Sequence, residues 1–152
     1  MTDMLVNLYL LSSIEIKEEN DVTIRKVVPP EKHLVVDWVR QHFSDKWASE
    51  CEVACSVTPS NCFIAIKNNQ ISGFACFDTT FRNFFGPTGV KQDERGNGIG
   101  YRLLIESLIQ MKQNGYAYAI IGDAGPIEFY KNKVGAIPID NTPVLNTINY
   151  LD

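Results

Sequence analysis

Residues 90–100 read VKQDERGNGIG, and this stretch decides the fold of the chain. A strand precedes it and a long amphipathic helix, over residues 98–113, follows it. Its three glycines, at alternate positions, lack a Cβ atom and let the backbone approach a ligand closely. The first N–H groups of the helix have no partner within it and, with the helix dipole, attract anions. Because Arg95 adds a full positive charge, the stretch predicts a phosphate or pyrophosphate site.

Two common phosphate-binding motifs do not fit this stretch. The dinucleotide pattern G-x-G-x-x-G needs a third glycine where Tyr101 or Leu103 stands. The P-loop pattern ends in G-K-[ST], which is missing here.

The elements around the stretch predict one α+β domain over residues 1–152. Apolar patterning predicts strands over residues 4–11, 22–28, 61–67, 70–78, 82–90 and 116–122, with closing strands at 136–139 and 144–151. It predicts helices over residues 31–43, 45–56, 98–113 and 126–133. Strand 116–122 reads as buried on both faces. A strand meander followed by a strand–helix–strand unit gives a mixed, mostly antiparallel central sheet flanked by helices.

Composition narrows the classes of partner. The chain has 152 residues and a formal net charge of −4, from 14 basic and 18 acidic residues. A nucleic-acid binder would need a basic face, so we expect none as a partner. The apolar run 4–11 is too short to cross a membrane and lacks signal-peptide flanks, so it is interpreted as an extra strand in an N-terminal extension over residues 1–20. We expect a cytoplasmic protein without a membrane partner.

The cysteines and histidines predict no metal site. Cysteines stand at 51, 55, 62 and 76 and the two histidines at 33 and 42, with no C-x-x-C pair. No zinc-ligand spacing can be built from these positions. Buried free thiols in a reducing compartment are the expected state.

The loop resembles the acyl-CoA-binding signature of the GCN5-related N-acetyltransferase (GNAT) family. That signature is Gln or Arg, two residues, Gly, one residue, then Gly or Ala, and Arg95, Gly98 and Gly100 satisfy it. The resemblance covers roughly residues 22–139 and implies the GNAT architecture with acetyl-CoA as co-substrate and no metal. The coenzyme-binding residues that it implies are Val90, Arg95, Gly96, Asn97, Gly98, Ile99, Gly100 and Asp123. Asp123 stands where the family often has Asn.

The resemblance also implies catalytic roles. The segment PIEFYKNKVGA at 126–136 is similar to the family's last helix, and Tyr130 occupies the position of the tyrosine that protonates the departing thiolate. The Val90 amide is the candidate donor to the developing oxyanion. Glu50, one turn after Trp47 in the second helix, is the candidate general base for a cationic acceptor. Glu52, Asp78, Asp123 and a water relay remain alternatives.

These observations predict acetyl transfer from acetyl-CoA to a primary amine of a small molecule or peptide. The alternative is a non-catalytic acyl-CoA sensor on the same fold. A third hypothesis is a redox or nucleotide-binding protein unrelated to coenzyme A. The strand at 4–11 completes the sheet of its own chain or pairs with a second copy, so a homodimer is also possible.

Overall fold

The computed structural model describes residues 1–11, 21–139 and 142–151. The seven strands are β1 (Thr2–Asn7), β2 (Val22–Lys26), β3 (Cys62–Lys67), β4 (Gln70–Phe77), β5 (Phe84–Val90), β6 (Tyr118–Ala124) and β7 (Ile137–Pro138). The four α-helices are α1 (Lys32–His42), α2 (Asp45–Ala54), α3 (Ile99–Gln113) and α4 (Ile127–Val134). Short 3₁₀ helices are Leu8–Leu10, Pro29–Glu31, Gln92–Glu94 and Val144–Thr147.

Local sequence explains where these elements begin and turn. The Ser44 hydroxyl accepts the N–H of Trp47 at 3.1 Å, which caps the first turn of α2. Asn68 and Asn69 join β3 to β4 with positive φ angles of 51° and 60°, the conformation of a tight hairpin turn. Helix α4 stops at Gly135, whose φ is 67°.

The strands form one mixed sheet in the order β2-β3-β4-β5-β6-β1-β7. Every neighbouring pair is antiparallel except β5 and β6, which run parallel because α3 connects them. The prediction of a mixed, mostly antiparallel sheet flanked by helices is therefore confirmed. Strand β1 lies between β6 and β7 of its own chain, so it is an integral strand of the sheet. Residues 12–20 of the predicted N-terminal extension lie outside the described residues.

Helices cover both faces of the sheet. Alternate residues of β3 and β4 point to opposite sides, as the period of a strand requires. Phe63 and Phe77 belong to the core beneath α3, whereas Ile64 and Phe74 belong to the core beneath α1 and α2. Tyr130 of α4 lies in the first of these cores.

Three predictions about strands are wrong. The strand predicted over residues 4–11 ends at Asn7, and Leu8–Leu10 form a 3₁₀ helix. Residues 144–151 do not form a closing strand; Pro143 precedes a 3₁₀ turn, in which the N–H of Asn146 bonds the Pro143 carbonyl and that of Val144 bonds the Asp3 carboxylate. Strand β6 is not buried on both faces. Ala119 and Ile121 are buried on one face, while on the other face Tyr118 is exposed and Ile120 is partly exposed.

Candidate functional site

A gap opens in the sheet between β5 and β6. The two strands pair only through Phe84 with Ile120 and Phe85 with Ile121, at the start of β5. Beyond Phe85 the parallel pairing stops, although both strands continue. Pro87 lies in this second half of β5, where it cannot donate to a neighbouring strand.

A cavity of about 570 Å³ occupies the gap and reaches both faces of the sheet. Its walls come from the α1–α2 junction on one face and from α3 and α4 on the other. The lining residues are Phe43, Trp47, Phe85, Thr88, Gly89, Val90, Glu94, Arg95, Gly96, Gly98, Ile99, Gly100, Leu104, Pro126, Phe129 and Tyr130.

The mouth of the cavity is the N-terminus of α3. Gly96 and Gly98 have φ angles of 86° and 78°, and a Cβ atom at either position would meet nothing within 4 Å. Backbone conformation therefore demands glycine here, and the space above the loop stays open. Gly98 caps the helix without any side-chain hydrogen bond, so the first amides of α3 face the cavity mouth unshielded.

Charges around the mouth are arranged for an anion. Arg95 donates from Nε to the Val90 carbonyl at 3.1 Å, which holds its guanidinium beside the loop. The neighbouring carboxylate of Glu94 is paired with Lys67 at 3.1 Å. This ion pair offsets the negative charge that would otherwise oppose a phosphate. The open loop, the unshielded amides and the arginine together fit a diphosphate.

The amide of Val90 points into the gap. The N–H of Lys91 donates to the Ser72 carbonyl at 2.8 Å, so these two residues form a hydrogen-bonded pair of the β4–β5 ladder. Hydrogen-bonded and non-bonded pairs alternate along an antiparallel ladder. The next pair, Gly73 with Val90, is therefore non-bonded, and the polar backbone groups of Val90 face away from β4. The donation from Arg95 to the Val90 carbonyl agrees with this orientation.

Tyr130 lines the cavity from α4. Its side chain is 7% exposed, and burial raises the pKa of its phenol. A raised pKa keeps the hydroxyl protonated at neutral pH. The ring of Phe129 packs edge-on against it, with centroids 5.2 Å apart, which restricts the orientation of the ring.

Aromatic side chains close the opposite wall. The rings of Phe43 and Trp47 lie 5.2 Å apart and both line the cavity. Phe43 approaches β5 so closely that a Cβ atom on Gly89 would lie 2.4 Å from its ring. Glycine at 89 therefore lets this ring lie directly over the strand. Phe43 and Thr88 belong to no motif that would have assigned them to the cavity from the sequence.

The structure does not bring every predicted site residue to the cavity. Glu50 is absent from its lining, and its carboxylate accepts a hydrogen bond from the Thr80 hydroxyl in the β4–β5 loop. Asn97 is exposed and donates to the Glu94 carbonyl at 3.2 Å. Asp123 is also outside the lining; its backbone N–H donates to the Asp3 carboxylate at 2.8 Å, which holds the end of β6. The three-dimensional course of the helices and strands, which the spacing of residues along the sequence does not specify, directs these side chains away from the cavity.

The alternative bases are also accounted for. Asp78 accepts the Tyr116 hydroxyl at 2.8 Å and the Asn83 N–H at 2.7 Å, so it organises a turn at the end of β4. Glu52 lies on the exposed side of α2 near Lys32. Among the cavity-lining residues of the described ranges, Glu94 is the only carboxylate.

The open glycine loop at the start of α3 thus leads into the gap between the parallel strands β5 and β6. The sequence profile of the acetyltransferase (GNAT) family matches residues 29–136. The chain belongs to this family. No curated protein sequence matches it.

Solved structures share the fold. A GCN5-related glucosamine N-acetyltransferase region of a fungal multi-domain β-N-acetylglucosaminidase aligns with a TM-score of 0.72 at 15% identity, covering 91% of this chain and 19% of that one. A GNAT enzyme from Sphaerobacter thermophilus aligns at 0.66 and 20% identity, covering 91% and 48%. A Brucella melitensis family member in complex with acetyl-CoA aligns at 0.53 and 19% identity, covering 74% and 82%. The chain thus spans about a fifth and about half of the first two proteins.

The described ranges contain no helix with the length and apolar character of a membrane span.

Proposed function

We propose that this chain is an N-acetyltransferase that transfers the acetyl group of acetyl-CoA to a primary amine of a small molecule or peptide. The observation that carries the proposal is the gap between β5 and β6. It has an anion site at its mouth, the Val90 amide along one side and the Tyr130 hydroxyl along another. Family membership supports the acetyl-CoA part, and the choice of an amine acceptor is our inference.

The loop of residues 95–100 would hold the diphosphate of the coenzyme. Its amides at the start of α3 donate hydrogen bonds, and Arg95 supplies charge. The backbone of β5 beyond Phe85, unpaired on the β6 side, offers donors and acceptors to the amide-containing arm of the coenzyme. Acetyl-CoA supplies the acetyl group already activated as a thioester.

Val90 and Tyr130 act at the reacting atoms. The Val90 N–H faces the gap, where it can donate to the acetyl oxygen as negative charge grows there. A fixed donor of this kind accelerates acyl transfer by roughly 10²–10³ in enzymes where one was removed. The Tyr130 hydroxyl is protonated at neutral pH, as any phenol is and more firmly since burial raises its pKa, and it can give its proton to the departing sulfur.

In this proposal a water molecule accepts the proton that the amine loses. Glu94 is held by Lys67 at the coenzyme mouth, and Glu50 is bound by Thr80 outside the lining. A water relay through the acceptor half of the cavity therefore replaces a directly bonded carboxylate. Glu50 stays testable as the far end of such a relay.

The acceptor half has aromatic walls, from Phe43 and Trp47. Aromatic faces attract ammonium groups and stack on the apolar faces of sugars. The fungal region with the same fold is a glucosamine N-acetyltransferase by its description. An amino sugar is accordingly the first acceptor to test, beside a lysine peptide and a simple polyamine.

One observation favours a second candidate, a non-catalytic acyl-CoA sensor. Within the part of the chain that the structure describes, the one carboxylate lining the cavity, Glu94, is already paired with Lys67, so these residues offer the acceptor half no free carboxylate as a base. A sensor would bind acetyl-CoA as tightly as an enzyme and release no coenzyme with any amine.

The deciding experiment measures free coenzyme A released from acetyl-CoA with this panel of amines, together with acetyl-CoA affinity by calorimetry. We expect Tyr130→Phe to lower kcat at least tenfold, with little change in acetyl-CoA affinity. Tyr118→Phe is the matched control, because Tyr118 is exposed at the start of β6, outside the cavity lining. Binding without turnover would favour the sensor, and failure of acetyl-CoA to bind would overturn both functions.

A further inference from the structure

All four cysteines of the chain meet at one place in the core, although they come from three different elements. Cys51 lies on α2 and Cys55 directly follows it, while Cys62 begins β3 and Cys76 lies near the end of β4. Their exposed fractions are 0%, 5%, 0% and 0%, and all four thiols are free. We call these four residues the cysteine cluster.

Three of the four sulfur atoms are close enough to share one ion. The Sγ atoms of Cys51, Cys55 and Cys62 all lie within 4.8 Å of one another. Cys76 stands directly opposite Cys62 in the β3–β4 ladder, where facing Cβ atoms are about 4.5–5.5 Å apart. This pairing with Cys62 makes Cys76 the candidate fourth ligand.

The chemistry of this set matches zinc. A zinc–thiolate bond is about 2.3 Å long, so a tetrahedral ion separates its sulfur ligands by about 3.8 Å. If the distances among the Sγ atoms of Cys51, Cys55 and Cys62 shortened by about 1 Å or less, these three atoms would have that spacing. Packing alone would be served by alanine or valine at any of these positions, whereas three clustered sulfurs, with Cys76 paired to one of them, supply soft ligands for a metal.

We propose that the cysteine cluster binds one zinc ion as a closed, structural site. The linear spacing of the cysteines predicts no such site, because the ligands are brought together by a helix turn and a strand pair. This proposal is independent of the proposed function, since zinc takes no part in acetyl transfer.

Binding exchanges protons for the metal. Four thiols release four protons as four Zn–S bonds form, and the site then carries a net charge of −2. Lys32 lies on the Cys55 side of the cluster, where its ammonium exerts a favourable electrostatic effect on a thiolate. Its position is held by a hydrogen bond to the Ser56 hydroxyl at 3.1 Å. Cys55 is the member of the cluster with the largest exposed fraction, 5%.

Zinc would fix the aromatic wall of the cavity. Trp47 precedes Cys51 by one helical turn on the same face of α2, and it lines the cavity. A bond from Cys51 through the metal to β3 and β4 would tie this part of α2 to the sheet. The site therefore acts on the position of α2 and leaves the coenzyme loop unaffected.

The test uses the full chain, reduced and freed of metal under anaerobic conditions, and then given zinc or cobalt. We expect one zinc per chain by native mass spectrometry and a rise in Tm of about 5–10 °C at saturating zinc. Cobalt should give thiolate-to-metal charge-transfer bands and the intense visible bands of tetrahedral coordination. This spectrum is read on the parent chain, so it decides the matter even if a variant fails to fold.

Variants locate the site. Cys51→Ala should lose the cobalt spectrum and the zinc-dependent rise in Tm. A His33→Gln/His42→Gln double variant should keep both, because it removes only the exposed histidines. The proposal is overturned if the fully reduced parent chain takes up no metal, or if metal binding survives Cys51→Ala and disappears with the histidines. A mass loss of two hydrogens under metal-free air, with no metal uptake after reduction, would show a disulfide pair instead.

Discussion

Gly98 and Gly115 flank helix α3 at its N-terminal and C-terminal ends, and both adopt a positive φ angle. Their φ angles are 78° and 104°, and a Cβ atom at either would meet nothing within 4 Å. Alanine is therefore opposed at both positions by backbone strain alone, of about 1–2 kcal/mol. Only Gly98 lines the cavity.

This pair gives a matched test of the coenzyme loop. We expect Gly98→Ala to raise the Kd for acetyl-CoA about tenfold, which corresponds to about 1.4 kcal/mol. The reason is that the first amides of α3 would no longer be oriented toward the diphosphate. Gly115→Ala should lower the free energy of unfolding by a similar amount and leave the Kd unchanged. Calorimetric titration with acetyl-CoA and urea denaturation measure the two effects. Equal Kd values for Gly98→Ala and the parent would remove this loop from coenzyme binding.

At the level of secondary-structure elements, strand β5 and the end of α1 are in contact where Gly89 meets the ring of Phe43. The ideal Cβ of Gly89 would lie 2.4 Å from Cζ of Phe43, closer than real atoms approach. Gly89→Ala should lower the free energy of unfolding by about 1–3 kcal/mol, because the ring or the strand must move. In a Phe43→Ala background the same change should have a much smaller effect. Additive losses in the double-mutant cycle would contradict the contact.

Strand β2 is joined to the start of α1 by a bidentate ion pair. Arg25 donates to both carboxylate oxygens of Glu31, at 2.6 and 2.8 Å, and the Val28 N–H donates to the same carboxylate at 2.9 Å. The hydrogen bonds from Arg25 lower the pKa of Glu31 in the folded state below its usual range. The stabilisation is therefore complete above the unfolded-state pKa and is lost as the pH falls through the folded-state pKa.

Glu31→Gln should lower the free energy of unfolding at pH 7 by on the order of 1 kcal/mol, since the Arg25 side chain is 40% exposed and water screens the pair. The difference from the parent should shrink as denaturation is repeated at decreasing acid pH. Asp37→Asn is the control, because Asp37 is 63% exposed and pairs with Arg40 only on the surface of α1. A parent–variant difference that does not change with pH would argue against a lowered pKa.

At the scale of the whole molecule, one buried carboxylate joins the two ends of the chain. Asp3 of β1 is 5% exposed and accepts the N–H of Asp123 at 2.8 Å and that of Val144 at 3.0 Å. It therefore ties the end of β6 and the segment after β7 to the first strand.

Asp3→Ala leaves both N–H groups without this acceptor and should lower the free energy of unfolding by about 2–4 kcal/mol. Asp3→Asn keeps one acceptor oxygen and should show a smaller loss. Guanidinium denaturation of the three proteins measures the order. If Asp3→Ala were as stable as the parent, the two ends would be held by other contacts.

The features that could be predicted from the sequence are those that depend on interactions between neighbouring residues. Residue patterns located all four helices, because such patterns act over a few neighbouring residues. The loop of Arg95 to Gly100 could be recognised because its arginine and three glycines lie within six consecutive residues. Its anion chemistry follows directly from unpartnered amides at the start of a helix.

Tertiary structure alone decided which distant side chains share the cavity and which do not. Phe43 meets Gly89 and Tyr130 faces the gap only because the sheet opens between β5 and β6. Glu50 turns to Thr80 and the four cysteines converge for the same kind of reason. A residue type and its spacing specify local backbone preference, whereas contacts across the sheet depend on strand order and register, which arise from the packing of the whole chain.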